Sequence, residues 1–203
     1  MTPSAPSVTV LYPGSFDPLH KGHKALAEYA LSRAEAAELW IMPTPDNPLK
    51  EQAPLFSYAC RCGMAQEVFR GNPRVQLCTI EKQLPAPYYT VQTLSALRCL
   101  YPQKNFVLLV GADNLAQLPH WHRYQDLLQL TRLWVYPRDG YEFPTHPPRN
   151  VTLLHNAPVI NVSSTRIRRA LLSGADTGDA LPGKDWAYKL QKALASNGSC
   201  RCV

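Results

Sequence analysis

An α/β fold built on a Rossmann-like, doubly wound parallel sheet is what this 203-residue sequence predicts, on three observations. Short apolar runs rich in β-branched residues recur along the chain, helical patterns separate them, and the runs end in glycine or proline turns. Continuous apolar runs are strands buried on both faces, and such strands belong to parallel sheets covered by helices. Ligands of such sheets bind beyond the carboxyl ends of the strands, where the strand order switches.

The elements follow in order. Val8–Tyr12 reads as a strand stopped by Pro13-Gly14, and Ala, Leu and Glu predict a helix from about Lys21 to Glu38. Leu39–Met42 is a second strand, ended by Pro43, Pro45 and Pro48. A helix over Ser57–Phe69 and a strand over Val75–Ile80 come next, then a helix over Val91–Leu100 and the very apolar Phe106–Val110. A helix over Trp121–Leu128 and a strand over Leu133–Tyr136 continue the alternation, and the proline-rich Pro137–Pro148 is a loop. Val151–Leu154 is the last strand, with helices over Ser164–Leu172 and Lys184–Ala195. With no internal repeat or shift in composition, one domain over 1–203 is expected. Its core covers about 8–195, with flexible ends at 1–7 and 196–203.

Composition narrows the partners. Apolar residues make up 45% of the chain and charged ones 18%, which fits a packed core and excludes a disordered chain. The net charge of +6 is scattered, with no basic arm and no interleaving of aromatic and basic residues. It therefore points to an anionic small ligand and not to nucleic acid. Met1–Ser7 has no basic segment leading into an apolar one, and no apolar stretch reaches the roughly 18 residues of a membrane span. A cytoplasmic protein without membrane contact is expected, as a monomer or weak homo-oligomer. Cys60, Cys62, Cys78, Cys99, Cys200 and Cys202 include two C-x-C pairs but no C-x-x-C zinc spacing, so free thiols are expected.

Two segments carry phosphate chemistry. In Gly14-Ser15-Phe16-Asp17-Pro18-Leu19-His20-Lys21-Gly22-His23, a glycine directly after a buried strand lets the backbone approach a bulky anion. The loop then opens a helix, whose N-terminus favours negative charge. His20 and His23, three apart, share one face of its first turn and can stabilise charge on phosphates as imidazolium or as neutral donors. In Val162-Ser163-Ser164-Thr165-Arg166-Ile167-Arg168, Ser163, Ser164 and Thr165 supply a helix cap, hydroxyls and unpaired first-turn amides, and Arg168 can hold phosphate bidentately.

The first segment resembles the (T/S)-F-D-P-x-H-x-G-H signature of the nucleotidyltransferase superfamily, and the second resembles its I-S-S-T-x-I-R signature. Within it, the chain is similar over most of its length to the bacterial nicotinate-nucleotide adenylyltransferases. Pro43–Lys50 resembles their P-x-x-N-P-P-H-K loop, and Tyr89–Leu94 their Y-T-x-D-T-L. Gly111–Leu115 with Leu118-Pro119 and Trp121-His122 resembles G-A-D-x-L…L-P-x-W-H, and Val135–Gly140 resembles V-x-P-R-x-G. Asp46, Leu49 and Gln92 depart from the family's usual Asn, His and Asp, and Pro13-Gly14 from its usual Gly-Gly. These departures bear on the acceptor, not on the ATP chemistry.

The resemblance implies a nucleotidyltransferase α/β phosphodiesterase-type fold and a transfer of AMP from ATP to nicotinate mononucleotide, giving deamido-NAD and pyrophosphate. It implies catalytic roles for His20, His23 and Arg168, with Gly14, Ser15, Phe16, Asp17, Gly111, Asp113, Ser163, Ser164 and Thr165 binding ATP. Magnesium is expected with the ATP, held mainly by the phosphates and not by a protein cage. On the acceptor side, Trp121 would stack on the pyridine ring, Thr90 at a helix start would meet its carboxylate, and Lys50 its phosphate. Another acceptor on the same fold is the alternative: nicotinamide mononucleotide, phosphopantetheine, or a cytidylyl transfer from CTP. A non-catalytic nucleotide-binding regulator is the third class, which the intact histidines and Ser-Ser-Thr disfavour.

Overall fold

A computed structural model describes residues 7–46 and 53–195. Six strands form one all-parallel sheet: β1 (Val8–Gly14), β2 (Ala36–Pro43), β3 (Val75–Leu77), β4 (Phe106–Gly111), β5 (Arg132–Tyr136) and β6 (Val151–Leu153). Their order in the sheet is β3-β2-β1-β4-β5-β6, so the direction of winding reverses between β1 and β4. The helices are α1 (Lys21–Ser32), α2 (Tyr58–Val68), α3 (Thr90–Leu100), α4 (Ala112–Gln117), α5 (Tyr124–Leu130), α6 (Ser164–Ser173) and α7 (Trp186–Ala195).

Side chains alternate across the sheet because the strand period is two. Val8, Val10, Tyr12, Leu39, Ile41, Val107, Leu109 and Trp134 face one core with buried residues of α1, α2, α6 and α7. Leu11, Trp40, Met42, Phe106, Leu108, Val110, Leu133 and Val135 face the other, with α3 and α5. This double cover is why β1, β2, β4 and β5 read as nearly continuous apolar runs.

Several expected boundaries move. The helix expected over Lys21–Glu38 ends at Ser32, and Ala36–Glu38 joins β2. Parallel pairing with β1, with Val8 opposite Ala36 and Thr9 opposite Glu38, overrides the helical propensity of an Ala- and Glu-rich stretch. The strand expected over Val75–Ile80 stops at Leu77, and Ile80–Gln83 forms a 3₁₀ turn. Between β4 and α5 lies the unexpected α4, followed by a 3₁₀ turn over Leu118–His120. Cys62, Cys78 and Cys99 are free thiols as expected, but Cys60 is disulfide-bonded. Cys60 cannot pair with Cys62, since two residues apart on α2 their side chains point to different sides of the helix. The expectations for Lys50, Pro48 and Leu49, and for 1–6 and 196–203, fall outside the described residues.

Candidate active site

A cavity of about 610 Å³ opens at the carboxyl ends of β1 and β4, where the winding reverses. Open parallel sheets bind ligands at this switch point. The two halves of the cavity are built differently.

One half descends from the turn after β1. Gly14 is required there because a Cβ would come within 2.9 Å of the Phe16 ring. Phe16 adopts a left-handed backbone (φ 46°), a costly conformation for a bulky residue, held by burial of its ring edge-on to Tyr12 and His23. His20 is the N-cap of α1. Its Nδ1 accepts the His23 N–H at 3.4 Å, while His23 Nδ1 accepts the His20 N–H at 3.3 Å, and the rings stack with centroids 3.7 Å apart. The pair is a capping box made from imidazoles. His20 is 3% exposed, and burial, aided by the nearby Arg138 guanidinium, lowers its pKa to about 4. Its ring is therefore neutral at physiological pH, and since Nδ1 is an acceptor the proton sits on Nε2. Of the two states the sequence left open for His20, the structure selects the neutral donor.

The start of α6 faces the same half. Ser163 caps the helix through a hydrogen bond from the Arg166 N–H, and the Ser164 and Thr165 amides have no partner among the described residues. Ser163, Ser164, Thr165 and Arg168 all line the cavity. Arg168 is braced by a hydrogen bond to the Asp17 carbonyl (2.7 Å), one to the Thr165 hydroxyl (3.1 Å), and an ion pair with the Asp17 carboxylate (3.6 Å). Ser164 Oγ donates to the Pro18 carbonyl (3.0 Å), so this hydroxyl ties α6 to the glycine turn.

Two residues expected to bind ATP, Asp17 and Gly111, lie outside the cavity lining. Asp17 does not line the cavity: its carboxylate oxygens accept the Leu55 and Phe56 N–H groups, both at 2.9 Å, and so anchor the start of the α2 region. Gly111 is also absent from the lining. It makes room for others, since a Cβ would lie 2.2 Å from Asp113 Oδ1 and 2.8 Å from Arg138 Cγ. Asp113, which does line the cavity, pairs with Arg138 at 3.5 Å. Ser15 lines the cavity.

The other half is formed by Thr90, Val91, Tyr88, Tyr89, Trp121, Thr44 and Glu81. Tyr89 is the N-cap of α3 but makes no side-chain cap, and the Thr90 and Val91 amides have no partner among the described residues. Tyr89 stacks on His122, with ring centroids 4.2 Å apart. Trp121 packs against the core through its partly buried ring, while its buried Nε1 has no partner among the described residues. Trp121 thus both lines the cavity and packs against the core.

Sequence reasoning missed Arg138 and Glu81. Arg138 lay in a quoted motif, at a strand end beside the switch point, and that position was the available signal. Glu81 carried none: its burial depends on β2, α2 and α3 closing around it. Arg61 is 2% exposed and donates to the carbonyls of Phe56 (3.1 Å), Ser15 (2.7 Å), Thr44 (2.8 Å) and Pro45 (3.1 Å). It fastens the glycine turn to the end of β2.

Unpaired amides of two helix starts, a neutral imidazole donor and two arginines converge on the switch point of a 3-2-1-4-5-6 sheet, an arrangement suited to nucleoside phosphates. The class is that of the nucleotidyltransferases: the cytidylyltransferase-like family model matches residues 11–170. Within that class, the chain is 42% identical to a Porphyromonas gingivalis protein named "Probable nicotinate-nucleotide adenylyltransferase", over 93% of this chain and 96% of that one. A Bacteroides fragilis protein of the same name is 37% identical over 85% of this chain and 86% of its own. The chain belongs to the nicotinate-nucleotide adenylyltransferase family. Its fold matches that of Plasmodium falciparum nicotinic acid mononucleotide adenylyltransferase complexed with NaAD, with a TM-score of 0.77 at 17% identity, covering 94% of this chain and 98% of that one.

Proposed function

We propose that this protein is an adenylyltransferase that moves AMP from ATP to nicotinate mononucleotide, releasing pyrophosphate and forming deamido-NAD. The observation that carries this reading is the meeting, in one cavity, of the imidazole capping box with the open starts of α6 and α3. The acceptor's phosphate oxygen forms a bond to the α-phosphorus of ATP while the bond to the β-phosphate bridging oxygen breaks, so pyrophosphate leaves in line. Such a reaction needs positioning and charge stabilisation more than covalent catalysis.

His20, through Nε2–H, would donate to the α-phosphate region, with His23 beside it. Ser163, Thr165, Arg168 and the free amides of α6 would hold the β- and γ-phosphates. Gly14 and Ser15 would let the backbone approach, and Asp113 would accept bonds from the ribose hydroxyls. Trp121 would stack on the pyridine, and the Thr90 and Val91 amides would receive its carboxylate. Lys50 remains a proposed contact to the acceptor phosphate. The substrate is taken as MgATP: hydroxyls, imidazoles, guanidinium groups and amides suit the phosphates, and the ion would be held by phosphate oxygens and water, neutralising their charge. No helix among the described residues is long and apolar enough to cross a membrane, and we place the enzyme in the cytoplasm as one domain, a monomer or weak homo-oligomer.

The test is pyrophosphate release from MgATP with nicotinate mononucleotide, nicotinamide mononucleotide, phosphopantetheine or no acceptor. Release is expected with nicotinate mononucleotide and falls at least about tenfold with the amide, because the carboxylate's charge-assisted bonds are lost. Release with phosphopantetheine alone would overturn the acceptor, and no release with any acceptor from folded, ATP-binding protein would overturn the activity.

A further inference from the structure

Glu81 is a buried carboxyl in the acceptor half that the proposed reaction does not use. It sits in the 3₁₀ turn Ile80–Gln83 and is 5% exposed. One oxygen accepts from Thr93 Oγ1 at 3.1 Å, and the other is buried with no partner among the described residues. Thr93 is one turn along α3 from Thr90, and Glu81, Thr90 and Val91 share the cavity wall.

We propose that Glu81 selects the acceptor as a positioning residue: buried in the cavity wall with one oxygen on Thr93 of α3, it sets the charge beside the first turn of α3, where an anionic ring substituent docks on the Thr90 and Val91 amides. This rests on the acceptor reading above and adds a pH dependence to it. Burial raises the Glu81 pKa to about 7, opposed by the hydrogen bond from the Thr93 hydroxyl and by the nearness of the Thr44 hydroxyl. The surrounding groups are Tyr58 and Arg61 of α2, Cys78 before the turn and Lys82 within it. Arg61 is bonded to backbone carbonyls, and the Lys82 ammonium lies 5.7 Å from the centre of the Tyr58 ring. Among the described residues, no cation pairs with the Glu81 carboxyl. As pH rises through about 7, the new charge opposes the positive end of α3 and repels an acceptor carboxylate.

The test is the KM for nicotinate mononucleotide from pH 6 to 8.5 at saturating MgATP, in wild type and Glu81→Gln, each referred to the KM for nicotinamide mononucleotide at the same pH. The reference removes titration of the shared phosphate. The wild-type ratio is expected to rise about three- to tenfold across the range, and the Glu81→Gln ratio to stay flat with kcat within about twofold. Superimposable profiles would overturn the proposal while leaving the activity intact, whereas absence of turnover at pH 6 would be a failure of the activity itself. Should Glu81→Gln not fold, Thr93→Val serves: losing the hydroxyl that favours the ionised form moves the rise to higher pH, and an unmoved profile overturns the proposal. Chemical shifts of the Thr90 and Val91 amides, followed in the same titration, report the charge without turnover.

Discussion

The two halves of the cavity differ in how completely their polar groups are bonded to one another. In the half below β1, the side chains mostly hold each other: His20 and His23 cap one helix reciprocally, Arg168 braces against Asp17 and Thr165, and Arg61 gathers four carbonyls. First-turn amides are open in both halves, at Ser164 and Thr165 in one and at Thr90 and Val91 in the other, but around α3 the side-chain groups Trp121 Nε1 and one Glu81 oxygen also have no partner among the described residues, against Tyr12 OH below β1. A site that stabilises a transition state works best when its donors are fixed beforehand. A site that must recognise one acceptor keeps polar groups unpaired until that acceptor supplies their bonds, and so rejects analogues that cannot. On the proposed reading, the first half serves the chemistry and the second the selection of the acceptor.

The largest effect that would break this comparison is at His20. Its ring both caps α1 and faces the cavity, so His20→Asn, which can still cap, separates the two roles. We expect kcat/KM to fall about 10²- to 10³-fold, as for loss of one preorganised donor, with the melting temperature lowered by only a few degrees. A variant with wild-type kcat/KM would reduce His20 to a cap. Because the pKa of His20 is lowered to about 4 from 6.5, the unfolded chain binds its proton first as pH falls. Stability from this group is full above about 6.5 and lost as pH drops towards 4, by at most about 3 kcal/mol. Thermal melts from pH 7 to 4 should show that slope in wild type and a shallower one in His20→Asn.

The next effect is at Arg61. Arg61→Met removes donors from four buried or half-buried carbonyls, and each unmet acceptor costs about 1–3 kcal/mol. Part of that is recovered by water, so we expect a loss of about 3 kcal/mol, read as a melting temperature lower by about 10 °C. Wild-type stability in this variant would mean that the glycine turn holds itself.

How much of this was legible in the sequence follows the same division. Strand, glycine turn, histidine pair and helix start are contiguous, so their joint chemistry could be read from Gly14–His23 directly. Glu81 and Arg61 act across the fold: they matter because of what closes around them, and local pattern is silent on that. Local pattern is equally silent on what occupies the Asp17 carboxylate, since the amides on it belong to Leu55 and Phe56, far along the chain. The early end of α1 is another long-range effect, pairing with β1 prevailing over propensity at Ala36–Glu38.

On the selecting side, Trp121→Ala should raise the KM for nicotinate mononucleotide about three- to tenfold, while Trp121→Phe, which keeps a flat face, should restore most of it. Equal losses in kcat and no rescue by Phe would mean that Trp121 only packs against the core beneath it.

The smallest effect is expected at His122, stacked on Tyr89 at the start of α3. Its ring is exposed, and a stack of that kind is worth only about 0.5 kcal/mol. His122→Ala should therefore loosen Tyr89 and raise the acceptor KM about twofold, with kcat and the KM for MgATP unchanged. Steady-state kinetics with each substrate varied in turn would check this. A fall in kcat beyond about tenfold would place His122 with the reacting phosphates, and the acceptor half would then share in the chemistry it is here taken only to feed.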